Sequence, residues 1–195
     1  MKYIKVCYKK YNMICNLMLL IISIGITLGL IISFFLENNL SISIYNYFYE
    51  SINNYSILSN ILYPIIVYLS LFIISLTVIG VFIPFLALLI ENISIGLLLG
   101  ILLKNIGLKG LLFGVIYFIF TKLVYIIFLL YLILNFYKFI ICFITSIKNK
   151  NNTSIYTLYS KIIVKVLFSI LIITIYNLVG IFLIPKIIKL FIFLL

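Results

Sequence analysis

The chain of 195 residues contains no Arg, His, Asp, Gln or Trp. Its acidic side chains are three Glu, and its three Cys form neither a CxxC pair nor another metal-ligand spacing. Zinc and haem sites draw on clustered imidazole, thiolate or carboxylate groups, so we expect no metal and no cofactor. An HExxH motif, a Ser/His/Asp set and paired acids are also missing. The composition therefore predicts a protein that is not an enzyme.

Charge is scarce throughout the sequence. Only 9% of the residues are charged and 67% are hydrophobic, whereas soluble domains are about half apolar and about a quarter charged. Several apolar runs exceed the roughly 18–20 residues needed to cross a bilayer. These runs do not alternate polar and apolar residues, which excludes the usual barrel pattern. We predict an all-α, polytopic helical membrane protein, because helices satisfy their own backbone groups in lipid.

All 14 basic side chains are lysines, and they give the chain a net charge of +11. Most lie near the ends of apolar runs, where the positive-inside rule and contact with anionic lipid explain them better than nucleic acid does. Four of them fall within residues 1–12, directly before a charge-free run from Met13 to Leu36. We therefore place the N-terminus in the cytoplasm. The bias toward residues with AT-rich codons suggests a low-GC bacterium. Together with the apolar runs, this predicts a multi-pass protein of the bacterial plasma membrane.

One membrane domain, residues 1–195, is predicted to contain five spans. An external loop at 37–59, with a short amphipathic surface helix, and a cytoplasmic linker at 148–161 separate some of them. This topology places nine lysines inside and four outside, in agreement with the positive-inside rule. A sixth span within 111–148 is the alternative to an interfacial segment at 136–147. The five predicted spans cover residues 13–36, 60–80, 84–103, 110–135 and 162–184.

The run from Asn60 to Leu103 is too long for one span, since a helix rises about 1.5 Å per residue. Gly80 and Pro84 mark the preferred bend, and a break at Glu91-Asn92 is the alternative.

Glycines at spacing four recur on three predicted helices. GxxxG faces allow close approach of two helices in a membrane. The second and third faces lie on either side of the short polar turn at 104–110, so we predict that they pack against each other as an antiparallel pair. A homo-oligomer is also compatible with such small faces. The helix-packing glycines are Gly25 and Gly29, then Gly96 and Gly100, then Gly110 and Gly114.

Two ionisable residues, Glu91 and Lys122, lie inside apolar runs. A lone charge in lipid costs a few kcal/mol, about 2.5–3.5 on insertion scales. Both residues are equally far along the chain from the turn, so an antiparallel hairpin places them at similar depth. We hypothesise an intramembrane ion pair between them. Such a pair has two interpretations, a structural tie and a proton or ion pathway. The alternative is that the two residues do not pair and that Lys122 extends its charge to the interface.

The glycine-rich stretch of residues 79–122 also carries a family resemblance. The motif consists of Thr77-Val78-Ile79-Gly80, Pro84, Gly96, Gly100 and Gly107-Leu108-Lys109-Gly110. Together with the basic N-terminus, the first span, the outer loop and the four further spans, it resembles the pattern of the stage II sporulation protein M family. The chain departs from that pattern at Glu91-Asn92 and at Phe120-Thr121-Lys122.

The resemblance implies a non-enzymatic sporulation-type membrane scaffold. Members of the family anchor peptidoglycan-remodelling partners, so the expected partners are the lipid bilayer and peptidoglycan hydrolases of the envelope, with no nucleic acid. The alternative is a permease-like transport subunit with a midplane site near Glu91 and Lys122. A scaffold should present the loop at 37–59, whereas a transporter should have a midplane cavity lined by Glu91 or Lys122.

Overall fold

The computed structural model describes residues 12–53, 62–75, 82–148 and 152–191. It is 97% helical, and no strand occurs among these residues. The protein is therefore an all-α, polytopic membrane protein, as predicted. The seven helices are α1 (Asn12–Phe35), α2 (Asn38–Asn53), α3 (Tyr63–Ser75), α4 (Ile83–Ile106), α5 (Leu108–Thr121), α6 (Leu123–Lys148) and α7 (Asn152–Phe191).

Among the described residues, four helical segments are long and apolar enough to cross a membrane, and two further apolar helices are shorter. Of the short ones, Ile65–Ile74 falls within the predicted second span, and Leu108–Thr121 overlaps the first part of the predicted fourth span. α2 lies within the predicted external loop. The long segments are Asn12–Phe35, Ile83–Ile106, Leu123–Ile141 and Ser160–Val179.

The structure excludes one of the two positions considered for the bend between the second and third predicted spans. α4 is continuous from Ile83 to Ile106, so the alternative break at Glu91-Asn92 is wrong. Pro84 lies in the first turn of α4, where its missing N–H removes no helical hydrogen bond. Gly80 lies outside the described residues.

The predicted fourth span is not one helix. α5 ends at Thr121 and α6 begins at Leu123, so the continuous helix over 110–135 was a wrong prediction. At about 1.5 Å per residue α5 is about 21 Å long, less than the roughly 30 Å hydrocarbon core. Lys122 separates the two helices, and the break is accompanied by contacts of Lys122 and Phe120 with residues distant in the sequence, which are described below.

Two predicted non-spanning segments are also helical. α6 continues to Lys148, so residues 136–147 extend the same helix instead of forming a separate interfacial one. The predicted linker at 148–161 contains the first turns of α7, which begins at Asn152. Polar residues such as Lys and Asn do not interrupt a helix as Pro does. The polar composition within 148–161 therefore includes the polar first turns of α7 and does not mark a loop throughout.

α6 contributes residues to two hydrophobic clusters of the bundle. The first cluster joins it to α1, α3 and α4, and the second joins it to α3 and α7. The first contains Ile14, Met18, Leu71, Leu88, Ile95, Ile126, Leu129 and Ile133, and the second contains Tyr68, Leu132, Phe136, Phe139, Ile162, Val166 and Ile173.

The first two glycine faces pack against each other, and they bring α1 and α4 into parallel contact. A Cβ added at Gly29 would meet the backbone of Ile93 and Leu97, and one at Gly96 would meet the carbonyl of Ile26. Gly25 lies against Asn92 in the same way. Residue numbers rise together along both helices, so the helices run in the same direction.

The predicted pairing of Gly96 and Gly100 with the third glycine face is therefore wrong. Gly100 lies against Ser33 of α1, whereas Gly110 and Gly114 pack on α4 at Leu102 and Leu99. The physical reason is complementarity. α1 carries small residues at a spacing of four that match the small face of α4, and two matched small faces allow backbone contact.

Candidate functional site

Glu91 of α4 and Lys122, the residue between α5 and α6, come together in the structure. The Lys122 Nζ lies 3.1 Å from the Glu91 Oε2, within salt-bridge distance. The Glu91 side chain is 19% exposed and that of Lys122 is 41% exposed. The pair is thus partly buried, with the carboxylate more enclosed than the ammonium group.

The turn between α4 and α5 positions both side chains. Gly107 has a φ of 81°, a left-handed conformation that favours glycine. A Cβ at Gly107 would meet nothing within 4 Å. The backbone conformation therefore favours glycine here, and a lack of room for a side chain does not. α4 and α5 pack antiparallel on either side of Gly107. Glu91 and Lys122 lie at almost equal distances from Gly107 along the chain.

A tyrosine from α7 contacts the helix break. Lys122 N–H donates to the carbonyl of Phe118 over 2.9 Å, and Ile126 N–H donates to the carbonyl of Lys122 over 3.0 Å. The hydroxyl of Tyr176 donates to the carbonyl of Phe120, in the last turn of α5. Carbonyls at a helix end need a partner outside the helix. Tyr176 therefore stabilises the helix break at Lys122.

We expect Tyr176→Phe to lower the free energy of unfolding by about 1 kcal/mol, because the Phe120 carbonyl then loses its donor in apolar surroundings. Thermal unfolding in detergent micelles measures the change. Tyr47→Phe on α2 is the matched control, since Tyr47 is 75% exposed, and it should leave stability unchanged. Equal effects of the two substitutions would contradict the role assigned to Tyr176.

A cleft of about 190 Å³ adjoins the ion pair between α4 and α5. Lys122, Ser94 and Tyr117 provide its polar lining, and Gly114 lies in its wall. The Ser94 hydroxyl donates to the Glu91 carbonyl over 2.8 Å. Sites for metabolite-sized ligands enclose about 300–1,000 Å³. This cleft has room for an ion or a few water molecules only.

A second polar contact joins α6 and α7. The Lys165 Nζ donates to the Asn135 Oδ1 over 3.3 Å, and Asn135 Nδ2 donates to the carbonyl of Tyr131. Asn135 is 6% exposed, and Ser169 is buried one turn after Lys165. Sequence reasoning treated Lys165 only as a cytoplasmic charge. Its spacing of four from Ser169 was the signal that a polar stripe on α7 faces the bundle.

A third set of contacts joins the end of α1 and the start of α2 to α4. The Lys104 Nζ donates to the carbonyl of Leu36 over 2.7 Å. Asn105 Nδ2 donates to the hydroxyl of Ser41 over 2.9 Å, and Ser41 is fully buried. A lysine at a helix C-terminus satisfies a free carbonyl and complements the helix dipole. These contacts fix the beginning of α2 against α4.

Lys104→Met should therefore loosen the start of α2. The loss of a charged donor at a helix end costs about 0.3–1 kcal/mol, and amide hydrogen exchange at residues 36–41 should accelerate accordingly. Lys109→Met is the control, because Lys109 is an exposed lysine at the other side of the same turn. Unchanged exchange in Lys104→Met would show that the contact does not hold α2.

Among the described residues, no group of His, Cys, Asp or Glu side chains is arranged to hold a metal ion. No family model, curated protein or solved structure matches the sequence.

Proposed function

We propose that the protein is a non-enzymatic membrane scaffold that presents α2 at the outer surface and localises peptidoglycan-remodelling proteins of the bacterial envelope there. The observation that carries this proposal is the attachment of α2 to α4 through Asn105 and Ser41, next to the Lys104–Leu36 contact. A scaffold needs a surface helix in a fixed position, and these contacts provide one.

The exposed side of α2 suits contact with a partner or with the membrane surface. Leu40 is 51% exposed, Ile42 48% and Tyr47 75%. Exposed apolar and aromatic side chains on a short surface helix are typical of binding and interfacial helices. With the N-terminus in the cytoplasm, as the lysine distribution predicts, α1 crosses outward and α2 lies on the external face.

The resemblance of residues 79–122 to the stage II sporulation protein M family supports the same role. In the structure, Gly107 joins α4 to α5, Leu108, Lys109 and Gly110 begin α5, and Gly96 and Gly100 form the face against α1. The motif thus includes the contact that fixes α1 against α4, and α4 holds the start of α2 through Lys104 and Asn105. The motif thus coincides with the framework of the proposed scaffold.

A photocrosslinking amino acid at position 47, in the full chain in its own bacterium, tests the scaffold. We expect adducts with a cell-wall hydrolase or its anchor, and fewer of them when Asn105→Leu is added. The same group at position 164 is the control, because Val164 is 65% exposed on the spanning part of α7. Adducts with lipid alone at both positions would contradict the scaffold.

A permease-like transport subunit is the second candidate. The observation that favours it is the Glu91–Lys122 pair at a helix break beside a cleft, an arrangement that transporters use at midplane ion sites. Ion or proton flux into proteoliposomes that falls in Glu91→Gln, while the position 47 adducts persist, would favour transport. Equal flux in the unsubstituted protein and in Glu91→Gln would leave the scaffold as the better proposal.

A further inference from the structure

The cleft beside the ion pair is lined, among the described residues, by one positive charge and by no negative one. Lys122 is the charged residue of its lining, and Glu91 is not among the lining residues. Ser94 and Tyr117 supply the other polar side chains, and the rest of the lining is apolar. An ammonium group in apolar surroundings attracts an anion and repels a cation. The lining therefore selects the sign of a bound ion.

The ammonium group of Lys122 retains donors for such an ion. An ammonium group has three N–H donors. In the described part of the chain it makes one hydrogen bond, to the Glu91 Oε2 over 3.1 Å, and the Lys122 side chain is 41% exposed. Hydrogen bonds from an ammonium group to an anion are roughly twice as strong as those between neutral groups. Lys122 can therefore bind an anion in the cleft while it remains close to Glu91.

The volume of the cleft suits a small inorganic anion with part of its hydration shell. The cleft encloses about 190 Å³, and one water molecule occupies about 30 Å³ in the liquid. Halide ions are of similar size to a water molecule. Organic anions of metabolite size need sites of about 300–1,000 Å³. The space therefore favours a halide or another inorganic anion of that size.

We propose that this cleft binds one small monovalent anion of the halide class, held by the Lys122 ammonium group. The Glu91 carboxylate competes with the anion, because both bring negative charge to the same ammonium group. The inference goes beyond the scaffold proposed for α2, and it names the ion class that the transport candidate would carry. Binding at equilibrium requires no flux, so the site and the transport candidate can fail separately.

The line width of the chloride NMR signal tests the site in the full chain in detergent micelles. Chloride is titrated at constant ionic strength, with gluconate as the replacing anion because it is too large for the cleft. We expect a saturable broadening that bromide displaces.

Glu91→Gln and Lys122→Gln should change chloride binding in opposite directions. Loss of the competing carboxylate should tighten binding by about tenfold, whereas loss of the ammonium group should abolish the saturable broadening. Lys122→Arg should retain it, because the guanidinium group keeps both the charge and the donors. Lys165→Gln is the matched control, since Lys165 lies in another candidate span and does not line the cleft, and it should leave the affinity unchanged.

Leu98→Phe keeps the decision independent of whether the charge variants fold. Leu98 lines the cleft, so the larger side chain should fill part of the space and weaken chloride binding severalfold while both charges remain. Equal affinity in Leu98→Phe and in the unsubstituted protein would overturn the proposal.

Three further results would also overturn it. They are the lack of saturable broadening in the unsubstituted protein, its persistence in a folded Lys122→Gln variant, and saturable broadening of the sodium signal that Glu91→Gln removes. Saturable chloride binding without flux into proteoliposomes would support the site and count against transport. Flux without saturable chloride binding would overturn the site and leave the transport candidate in place.

Discussion

Gly29→Ala is expected to destabilise the protein by about 3 kcal/mol or more, at the upper end of the range for overpacked interiors. A Cβ at Gly29 would meet the backbone of Ile93 and Leu97, and backbone cannot rotate away as a side chain can. α1 and α4 would have to move apart along their whole contact. Reversible unfolding in mixed micelles measures the loss, and weaker folding should lower the amount of protein in the membrane.

The matched control is Gly114→Ala, the same substitution at another helical glycine. Its Cβ would lie 2.8 Å from Leu99 Cδ2, the far end of a flexible side chain that can adopt another rotamer. We expect a loss of about 1 kcal/mol or less. Gly96→Ala should resemble Gly29→Ala, and the two together should cost less than their sum, because they disrupt one contact. If Gly114→Ala were the more damaging change, the assignment of close packing to α1 and α4 would be wrong.

Hydrophobicity was sufficient to predict where the chain is apolar and helical, and α1, α4 and the central part of α7 follow it closely. It was not sufficient to predict which helices touch. The glycine faces of residues 25–29, 96–100 and 110–114 share one spacing, so the sequence offered two possible partners for the middle one. Only the shape of α1, with Ser33 continuing its small face, distinguishes them.

The helix break at Lys122 could not be predicted from local sequence either. Phe120-Thr121-Lys122 contains neither Gly nor Pro, the residues that usually mark a helix end. The break depends on two distant partners, Glu91 on α4 and Tyr176 on α7. The Lys104–Leu36 contact spans 68 residues and is equally invisible in the sequence. These contacts are tertiary, and tertiary contacts override local preference.

The hypothesis of a pair between Glu91 and Lys122 depended only on the hairpin. α5 is helical as far as Thr121, so the distance from the turn to Lys122 is that of a continuous helix. The wrong prediction of an uninterrupted fourth span therefore did not affect the predicted depth. The Glu91 side chain is less exposed than that of Lys122, so we expect the two single substitutions to differ in their effect on stability.

Lys122→Leu is expected to destabilise the protein by about 2–3 kcal/mol, and Glu91→Leu by less, because each leaves one charge alone in apolar surroundings. The asymmetry follows from exposure. Lys122→Leu leaves Glu91 unpaired, and the Glu91 side chain is only 19% exposed. Glu91→Leu leaves Lys122 unpaired, but the Lys122 side chain is 41% exposed and has a long stem that can carry its charge toward water. Unfolding of both single variants and of the double variant in mixed micelles gives the coupling energy between the two residues.

The double variant should lose less stability than the sum of the single variants, by about 1–2 kcal/mol, since it contains no unpaired charge. The exchange Glu91→Lys with Lys122→Glu should retain more stability than either single charge reversal. Glu91→Leu combined with Lys165→Leu is the control cycle, and it should be additive because Lys165 bonds to Asn135 instead. A zero coupling energy between Glu91 and Lys122 would mean that their 3.1 Å contact does not stabilise the fold. If coupling is present and flux is absent, the pair is a structural tie, and transport loses the observation that favours it.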